Sequence, residues 1–309
     1  SVPYKHNGYW YCTRFKKEKE YPIYGRRKGS ENAPEEILFN CNEMAKDYEY
    51  FNLGGVAISP DNQLAAFGTD TVSRRQYILQ IKDLTTGEIL SDRIENTTGG
   101  AVWAQDNKTL FYSLKDPVTL RSDKIYKHRL GTSVEEDELV YHENDDTFST
   151  FVYRTKSKKY IVIGSTSTLT SEYRILKADD PDGDFKVFSA RKRGMEYSIA
   201  HYKDRDASSG HWEEFIPHRE DVLLEDIDIF KDYYVLSERE NGLNLLKIVR
   251  WDHSESYYLP FDNETYAANV GTNPDFDTEG LRYGYNSLTT PSSVIDFNMR
   301  TQEKIVKKE

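Results

Sequence analysis

The sequence has only two cysteines, Cys12 and Cys41, among its 309 residues. Two thiols are too few to staple a chain of this length, so we expect free thiols in a reducing compartment rather than a disulfide framework. The chain also lacks an apolar run long enough to cross a bilayer, and its N-terminus lacks the charged-then-apolar pattern of a signal peptide. These absences predict a soluble, cytoplasmic protein with no membrane partner.

The sequence has no excess of positive charge either. The chain has 41 Lys and Arg against 52 Asp and Glu, which gives a formal net charge of -11 at pH 7. Because Lys and Arg supply most nucleic-acid affinity by neutralising phosphates, this balance argues against a nucleic-acid partner and favours cationic peptides. Aromatic residues are abundant instead: 23 Tyr, 14 Phe and 4 Trp supply the large rings of a folded protein.

Helix-period stretches are nearly absent, and a repeated strand pattern takes their place. The segments "ISPDNQLAAFGTD" (58–70) and "WAQDNKTLFYSLKD" (103–116) each place apolar residues before a tight Asp-Asn turn and a short apolar strand after it. Asp and Asn suit such turns because their side chains bond the local backbone and tolerate left-handed conformations. The segment "QYILQIKDLTTGEIL" (76–90) forms an outer strand pair around Thr86-Gly87. One unit is therefore two hairpins, which form a four-stranded antiparallel blade.

The spacing of the inner turns gives the number of blades. The first strong residue after each turn is Tyr9, Leu64, Leu110, Tyr160, Tyr233 and Leu281. The step from Tyr160 to Tyr233 is 233 − 160 = 73 residues, too long for one blade and too short for two at a period of roughly 40 to 50. We therefore predict an all-β, seven-bladed β-propeller of four-stranded antiparallel blades, with one short helix over 33–48.

The extra blade is expected around "HYKDR" (201–205) and "GHWEEF" (210–215). About twenty residues of the repeat are missing between Arg205 and Asp206. Either this blade is eroded or a segment is omitted there. The second interpretation is favoured because a blade without its middle strands would expose sheet edges on both neighbours.

The sequence carries no self-sufficient catalytic constellation. It lacks the Gly-x-Ser-x-Gly elbow that exposes a serine nucleophile and the Gly-x-x-x-x-Gly-Lys loop that cradles phosphates. The segment "DDPDGD" (179–184) fails the spacing of a calcium loop and is better interpreted as an outer hairpin turn. We predict no catalytic residue, no metal and no cofactor in this chain, and interpret it as a binding, gating or structural unit.

Several long segments resemble the propeller domain of oligopeptidase B, also called protease II, in the prolyl oligopeptidase family. The resemblance runs from one end of the chain to the other. It is carried by "SVPYKHNGYWYCTRFKKEKEYPIYGRRKGS", "GGVAISPDNQLAAFGTDTVSRRQY", "KDPVTLRSDKIYKHRLGT", "DDTFSTFVYRTKSKKYIVIGSTSTLTSEYRIL", "EEFIPHREDVLLEDIDIFKDYYVLSERENGL" and "LRYGYNSLTTPSSVIDFNMRTQEK".

The resemblance implies a domain organisation and an activity. In this family the propeller is inserted between a short N-terminal segment and a C-terminal α/β-hydrolase domain, and it covers the active site. Residues 1–309 would then be the propeller alone, inactive by itself because the Ser, Asp and His of the triad belong to the absent hydrolase domain. The whole protein would be a serine oligopeptidase that hydrolyses short peptides after Arg or Lys.

The same resemblance implies a gating role. The family's propeller is not sealed by a strand shared between its first and last blades, so blades can part or the domain can swing on its linkers. Flexible peptides would enter and folded proteins would be excluded. The expected partners are the hydrolase domain of the same protein and short basic peptides as substrate.

Charged loop residues are the candidates for contacts with the hydrolase domain. The resembling enzymes hold their closed state with propeller salt bridges, and the nearest equivalents here are Arg74, Arg75, Asp92, Arg93 and Glu95. The alternative interpretation is that Arg74 and Arg75 are solvated turn charges.

Two other functions are compatible with a propeller. A stand-alone scaffold of the WD-repeat kind would bind protein partners, but its Gly-His and Trp-Asp signatures are missing. A propeller glycosidase or lyase would need convergent acids on inner strands, which here carry mostly apolar and aromatic residues. The sequence therefore favours the gating and substrate-filtering propeller of a serine oligopeptidase.

Overall fold

The structure is a computed structural model that describes residues 1–197 and 215–309. These residues form an all-β propeller of five antiparallel sheets. The further blade that the sequence predicts around 201–214, and the omission after Arg205, lie outside the described residues. No helix in the described part of the chain is long and apolar enough to span a membrane.

Each sheet is built from strands that follow one another in the sequence. The first contains β1 (Tyr4–His6), β2 (Tyr9–Arg14), β3 (Ile23–Lys28) and β4 (Glu35–Asn40). The second contains β5 (Asn52–Ile58), β6 (Leu64–Asp70), β7 (Tyr77–Asp83), β8 (Ile89–Trp103), β9 (Thr109–Lys115), β10 (Ser122–Arg129) and β11 (Glu138–His142). The third contains β12 (Ser149–Arg154), β13 (Tyr160–Thr166), β14 (Ser171–Lys177) and β15 (Lys186–Val187).

The last two sheets complete the described fold. The fourth contains β16 (Val222–Ile229), β17 (Tyr233–Glu240), β18 (Leu243–Arg250) and β19 (Ser256–Tyr258). The fifth contains β20 (Tyr266–Val270), β21 (Gly280–Ser287), β22 (Ser293–Asn298) and β23 (Lys304–Lys308). A single-turn helix, α1 (Cys41–Met44), and a short 3-10 turn over Val134–Glu136 interrupt the strands.

The predicted seven-bladed propeller of four-stranded blades is wrong in its strand arrangement. The described residues form four four-stranded sheets and one seven-stranded sheet, in the order β11-β10-β9-β8-β7-β6-β5. The reason is β8, which stays extended over 15 residues. Its first half pairs with β7 through Gln80↔Arg93, and its end pairs with β9 through Trp103↔Leu110. One strand is thus the outer strand of one repeat and the inner strand of the next, which fuses the two repeats.

Glycine allows β8 to pass over its own sheet on the way from the outer to the inner position. Gly99 has a positive φ of 93°, and a Cβ placed on it would lie 2.7 Å from the ring of Tyr77. A Cβ on Gly68 of β6 would lie 2.5 Å from the Gly99 Cα. Since real Cβ atoms do not approach this closely, both positions require glycine.

The prediction of a helix over 33–48 is mostly wrong. Residues Glu35–Asn40 form β4, which pairs with β3, and only Cys41–Met44 are helical. Cross-strand ion pairs support the strand: Arg26 Nε lies 2.7 Å from Glu36 Oε2. Pairing to a neighbouring strand has overridden local helix propensity here.

The predicted turn chemistry is confirmed. Asn62 and Asn107 have positive φ values of 65° and 60°. In the second of these turns, the Asp106 carboxylate accepts the backbone N–H groups of Lys108 and Thr109 at 3.0 and 2.9 Å. The outer turn after β7 uses Asp83 in the same way, and its Gly87 has a φ of 83°. Asx turns of this kind therefore set the strand register.

The apolar core lies between consecutive sheets. Phe39 of the first sheet meets Phe67 of the second with ring centroids 4.8 Å apart. Phe230 and Leu281 belong to one cluster that joins the fourth and fifth sheets. Cys12 and Cys41 are free, as predicted, and the structure shows that both are buried.

The first and fifth sheets meet differently, and we call their junction the seam. They share no strand in the described chain. Polar contacts join them: the Arg282 guanidinium donates to the Pro3 carbonyl at 2.7 Å, and the Lys307 ammonium donates to Glu31 Oε1 at 2.7 Å. A cavity of about 370 Å³ lies between β1 and the strands of the fifth sheet. The seam is thus less tightly packed than the junctions that carry an apolar core.

Candidate functional site

A cavity of about 820 Å³ follows the inner strands of the propeller. Its walls come from all four strands of the first sheet, β5, the end of β8 and β12, together with the turns that follow the first strands. Aromatic side chains such as Tyr4, Tyr11, Trp103 and Tyr153 form part of the wall. A cavity of this size falls in the usual range for pockets that hold a small ligand or a peptide segment.

One end of this cavity, which we call the turn end, is formed by the turns between the first and second strands of the repeats. These turns contact one another in a ring. The pairs are Asn7 with Pro60, Asp61 with Asn107, Gln105 with Arg154, Lys156 with Asp228, Lys231 with Phe276, and Asp275 with Asn7. Hydrogen bonds therefore fix the shape of the turn end.

The charged side chains in the cavity lining are all basic. They are Arg154, Lys156 and Lys158; His6 also lines the cavity, and no Asp or Glu is among the lining residues of the described chain. Lys158 Nζ reaches from the β12–β13 turn to Asn7 Oδ1 in the β1–β2 turn, at 3.2 Å. Burial lowers the pKa of both Lys156 and Lys158.

Two carboxylates stand next to the lining. Asp228 accepts from Lys156 Nζ at 2.7 Å. Asp275 accepts the Asn7 N–H at 3.0 Å and lies 3.3 Å from His6 Nδ1. Burial opposes ionisation of Asp275, but these neighbours lower its pKa overall. Even with these two carboxylates counted, the three cations of the cavity lining leave a small excess of positive charge there, in a chain whose net charge is -11.

The opposite end, which we call the loop end, carries the loops between the second and third strands. Because successive strands are antiparallel, these loops lie away from the turn end. Both chain termini lie here too: the Ser1 ammonium donates to the Thr13 carbonyl at 2.7 Å, and Lys308 pairs with Val294 at the start of β22.

Five loops at the loop end each present one strongly exposed apolar side chain. These are Phe15, Val72, Val118, Leu169 and Leu288, which are between 61% and 93% exposed. Single exposed apolar residues are normal on a protein surface. The same placement in five separate loops at one end indicates an interaction surface.

Four of the five predicted contact residues are at the protein surface. Arg74 and Arg75 are exposed in the 71–76 loop at the loop end. The buried Asp70 holds this loop by accepting the Arg75 N–H at 2.7 Å. Arg93 and Glu95 are exposed on β8, with Arg93 Nη2 3.3 Å from Glu95 Oε1. Within the described chain, no hydrogen bond or ion pair joins Arg74 or Arg75 to Arg93 or Glu95.

Asp92, the fifth, is turned into the protein. Its Oδ1 accepts the Gly131 N–H at 2.6 Å and lies 3.0 Å from His128 Nε2. His128 Nδ1 lies 2.6 Å from Asp137 Oδ1, and the Tyr112 hydroxyl donates to the other oxygen of Asp137 at 2.8 Å. Burial lowers the pKa of His128, but Asp137 and Asp92 outweigh it and raise the pKa overall. This buried group ties β8 to β9, β10 and the chain after β10.

The sequence analysis did not single out His128 or the basic cavity lining. The Asp92–His128 pair is separated by 36 residues, and nothing in the local pattern joins them. The lining could have been suspected from "RTKSKK" (154–159), the most basic of the inner turns. Among residues 1–197 and 215–309, no cluster of three or more His, Cys, Asp or Glu could hold a metal ion.

Comparison with known proteins identifies relatives. Residues 1–309 match the family model described as "Prolyl oligopeptidase, N-terminal beta-propeller domain". The chain is 36% identical to dipeptidyl aminopeptidase BI of Pseudoxanthomonas mexicana and 30% identical to protease 2 of Moraxella lacunata. Each match covers 98% of this chain and 47% of the relative, so the chain spans about half the length of these curated relatives.

A solved structure agrees with these matches. Oligopeptidase B from Trypanosoma brucei, in a closed form with covalently bound antipain, superimposes with a TM-score of 0.89 at 27% identity. The superposition covers 100% of this chain and 48% of that one. The chain therefore belongs to the prolyl oligopeptidase family of serine peptidases, as its N-terminal β-propeller domain.

Proposed function

We propose that this chain is the gating and substrate-filtering propeller of a serine oligopeptidase. The observation that carries the proposal is the pairing of a peptide-sized cavity along the inner strands with an apolar surface at one of its ends. Flexible peptides fit such a cavity, whereas a folded protein does not. The filter is therefore steric.

The loop end is the surface that would receive the hydrolase domain. Its exposed apolar side chains and both chain termini lie at the same end. Burying five such side chains against a partner would contribute about 1.5 kcal/mol or more for each one. Arg74 and Arg75, in the same set of loops, would add charged contacts at the rim of this surface.

Two variants of the full-length enzyme test this docking. Leu288→Ser removes the most exposed apolar side chain of the loop end, and Ile305→Ser removes one on the edge strand β23. We expect Leu288→Ser to weaken domain closure, as measured by small-angle scattering and by kcat/KM, and Ile305→Ser to leave both unchanged. Equal behaviour of the two variants would refute docking at the loop end.

The seam is the part of the propeller that we propose to open. In the described part of the chain it has neither a shared strand nor a buried apolar cluster that joins its two sheets, and a cavity lies between them. A short bis-methanethiosulfonate crosslink between Glu31→Cys and Lys307→Cys would replace an ion pair across the seam. If peptides enter there, crosslinking this variant in the full-length enzyme should slow hydrolysis of a ten-residue peptide about tenfold or more, and reduction should restore it.

A matched control joins neighbouring sheets elsewhere. Lys231→Cys with Asp277→Cys replaces an ion pair between the fourth and fifth sheets, which already share an apolar core. The same crosslinking should leave its rate unchanged. Unaltered activity of the crosslinked seam variant would show that substrate does not enter through the seam.

Two cleavage specificities are candidates. The resemblance to oligopeptidase B favours cleavage of short peptides after Arg or Lys, with the acidic surface attracting basic substrates. The relative named dipeptidyl aminopeptidase BI favours release of dipeptides from a free N-terminus instead. Hydrolysis of an N-terminally blocked peptide after Arg by the full-length enzyme supports the first, and a requirement for a free N-terminal amine supports the second.

A further inference from the structure

The basic lining of the turn end has no explanation in a steric filter. Three half-buried cations, Arg154, Lys156 and Lys158, face a cavity that contains no Asp or Glu in the described lining. This basic lining belongs to a chain that has more acidic than basic residues. If the cavity served only to attract cationic peptides, we would expect acidic rather than basic side chains in its lining.

Arg154 and Lys158 are held mainly by neutral oxygens. The Arg154 guanidinium donates to the Lys158 carbonyl from Nε at 3.1 Å and from Nη2 at 2.8 Å, to the Trp103 carbonyl from Nη1 at 3.4 Å, and to Gln105 Oε1 from Nη2. One N–H group on Nη1 is then left for a ligand. Lys158 Nζ donates to Asn7 Oδ1 at 3.2 Å. Within the described chain neither cation forms an ion pair with a carboxylate, whereas Lys156 pairs with Asp228.

This arrangement leaves donors for a ligand. An ammonium has three N–H groups and Lys158 uses one of them, on Asn7. Burial lowers the pKa of Arg154 and of Lys158; for Lys158, Asp275 opposes this by raising the pKa, while the Arg154 charge lowers it. An anion between the two side chains would relieve both effects through charge-assisted hydrogen bonds.

The surroundings favour one particular anion. Asp228 and Asp275 stand just behind the lining, so the excess positive charge is small and suits a single carboxylate better than a polyphosphate. The rest of the cavity presents aromatic rings and backbone, which suit a peptide.

We propose that the turn end binds the carboxylate of a peptide held in the cavity, with Lys158 and Arg154 as its hydrogen-bond donors. The C-terminal carboxylate is the expected source, because the rest of the peptide then extends along the cavity toward the loop end. The idea rests on the proposed role of the cavity as a peptide passage. It adds that the propeller binds the carboxylate end of the peptide, in addition to excluding molecules that are too wide for the cavity.

Calorimetric titration of the 309-residue chain tests this directly. The probes are an acetylated five-residue peptide with Arg at its centre, the same peptide as a C-terminal amide, and an amide that ends in Glu. We expect the free carboxylate to bind about tenfold more tightly than the plain amide, the effect of one charge-assisted hydrogen bond. Lys158→Gln should abolish this preference, and Lys158→Arg should retain it.

Lys108→Gln is the matched control. Lys108 follows the Asp-Asn turn between β8 and β9, much as Lys158 lies in the β12–β13 turn, but it is exposed and does not line the cavity. Its replacement should leave the preference intact. Equal thermal unfolding of all variants would show that a lost preference is not a loss of folding.

The outcomes separate the alternatives. Equal binding of free carboxylate and plain amide, or no binding of either, overturns the proposal. Tight binding of the Glu-ending amide supports a carboxylate site that accepts side chains as well as termini. Because the titration involves no hydrolysis, its result does not depend on whether the full-length enzyme is a peptidase of the proposed specificity.

Discussion

His128 should be among the most sensitive positions of this propeller to mutation. Its side chain is 0% exposed and lies between Asp92 at 3.0 Å and Asp137 at 2.6 Å. His128→Leu fills a similar space with an apolar side chain, but it removes the imidazole that contacts both buried carboxylates. Removing one member of a buried ion pair costs about 3 to 5 kcal/mol, so we expect a loss of about 3 kcal/mol or more in the free energy of unfolding.

The same group predicts a pH dependence. The folded-state pKa of His128 is raised above its ordinary value of 6.5. Its stabilising contribution is therefore complete below that pH and is lost as the pH rises through the raised folded-state pKa. The wild-type chain should lose stability across this alkaline window, and His128→Leu should lack that part of the pH dependence.

Urea unfolding followed by tryptophan fluorescence, at about pH 6 and about pH 9, measures both effects. His142→Leu is the control, because His142 is 40% exposed and lies 3.5 Å from Asp123. Its replacement should cost less than about 0.5 kcal/mol. A loss below about 1 kcal/mol for His128→Leu, or an unchanged pH slope, would refute the reasoning.

Three further perturbations test other parts of the structure. Gly68→Ala places a Cβ 2.5 Å from the Gly99 backbone and should cost about 1 to 3 kcal/mol in urea unfolding, whereas Gly280→Ala, with its closest contact at 3.4 Å, should be nearly neutral. Arg75→Glu with Glu95→Lys in the full-length enzyme should shift the small-angle scattering toward an open form, and unchanged closure would remove both residues from the interface. Burial would raise the pKa of Glu143, but hydrogen bonds to its carboxylate hold it at about 2. Its stabilising contribution is present above the ordinary 4.5 and is lost as the pH falls toward 2, so Glu143→Gln should flatten the acid limb of the stability curve.

Part of the candidate site could be predicted from the sequence. The exposure of Arg74 and Arg75 follows from their place in a polar loop between two strand patterns, and the structure shows them at the loop end. Asp92 could not be assigned in this way. Its neighbours on β8 alternate between buried and exposed, and only the approach of His128 from β10 gives its carboxylate a buried partner.

The cavity lining shows the same limit. The basic character of 154–158 is visible in the sequence, but basic turns are usually solvated. Only the closing of the ring of turns places Lys158 within 3.2 Å of Asn7, which lies 151 residues earlier in the chain. The burial of these basic side chains in one cavity therefore depends on the tertiary structure and is not visible in the local sequence.

Local sequence patterns specify the all-β class, the hairpin repeat and the turns, because strand alternation and Asx turns depend on residues that are close together in the chain. The tertiary structure decided what depends on distant pairing. It made 35–40 a strand rather than a helix, since β3 offers a partner and two opposite charges. It also fused two repeats through β8, because glycines that are far apart in sequence meet where that strand crosses the sheet.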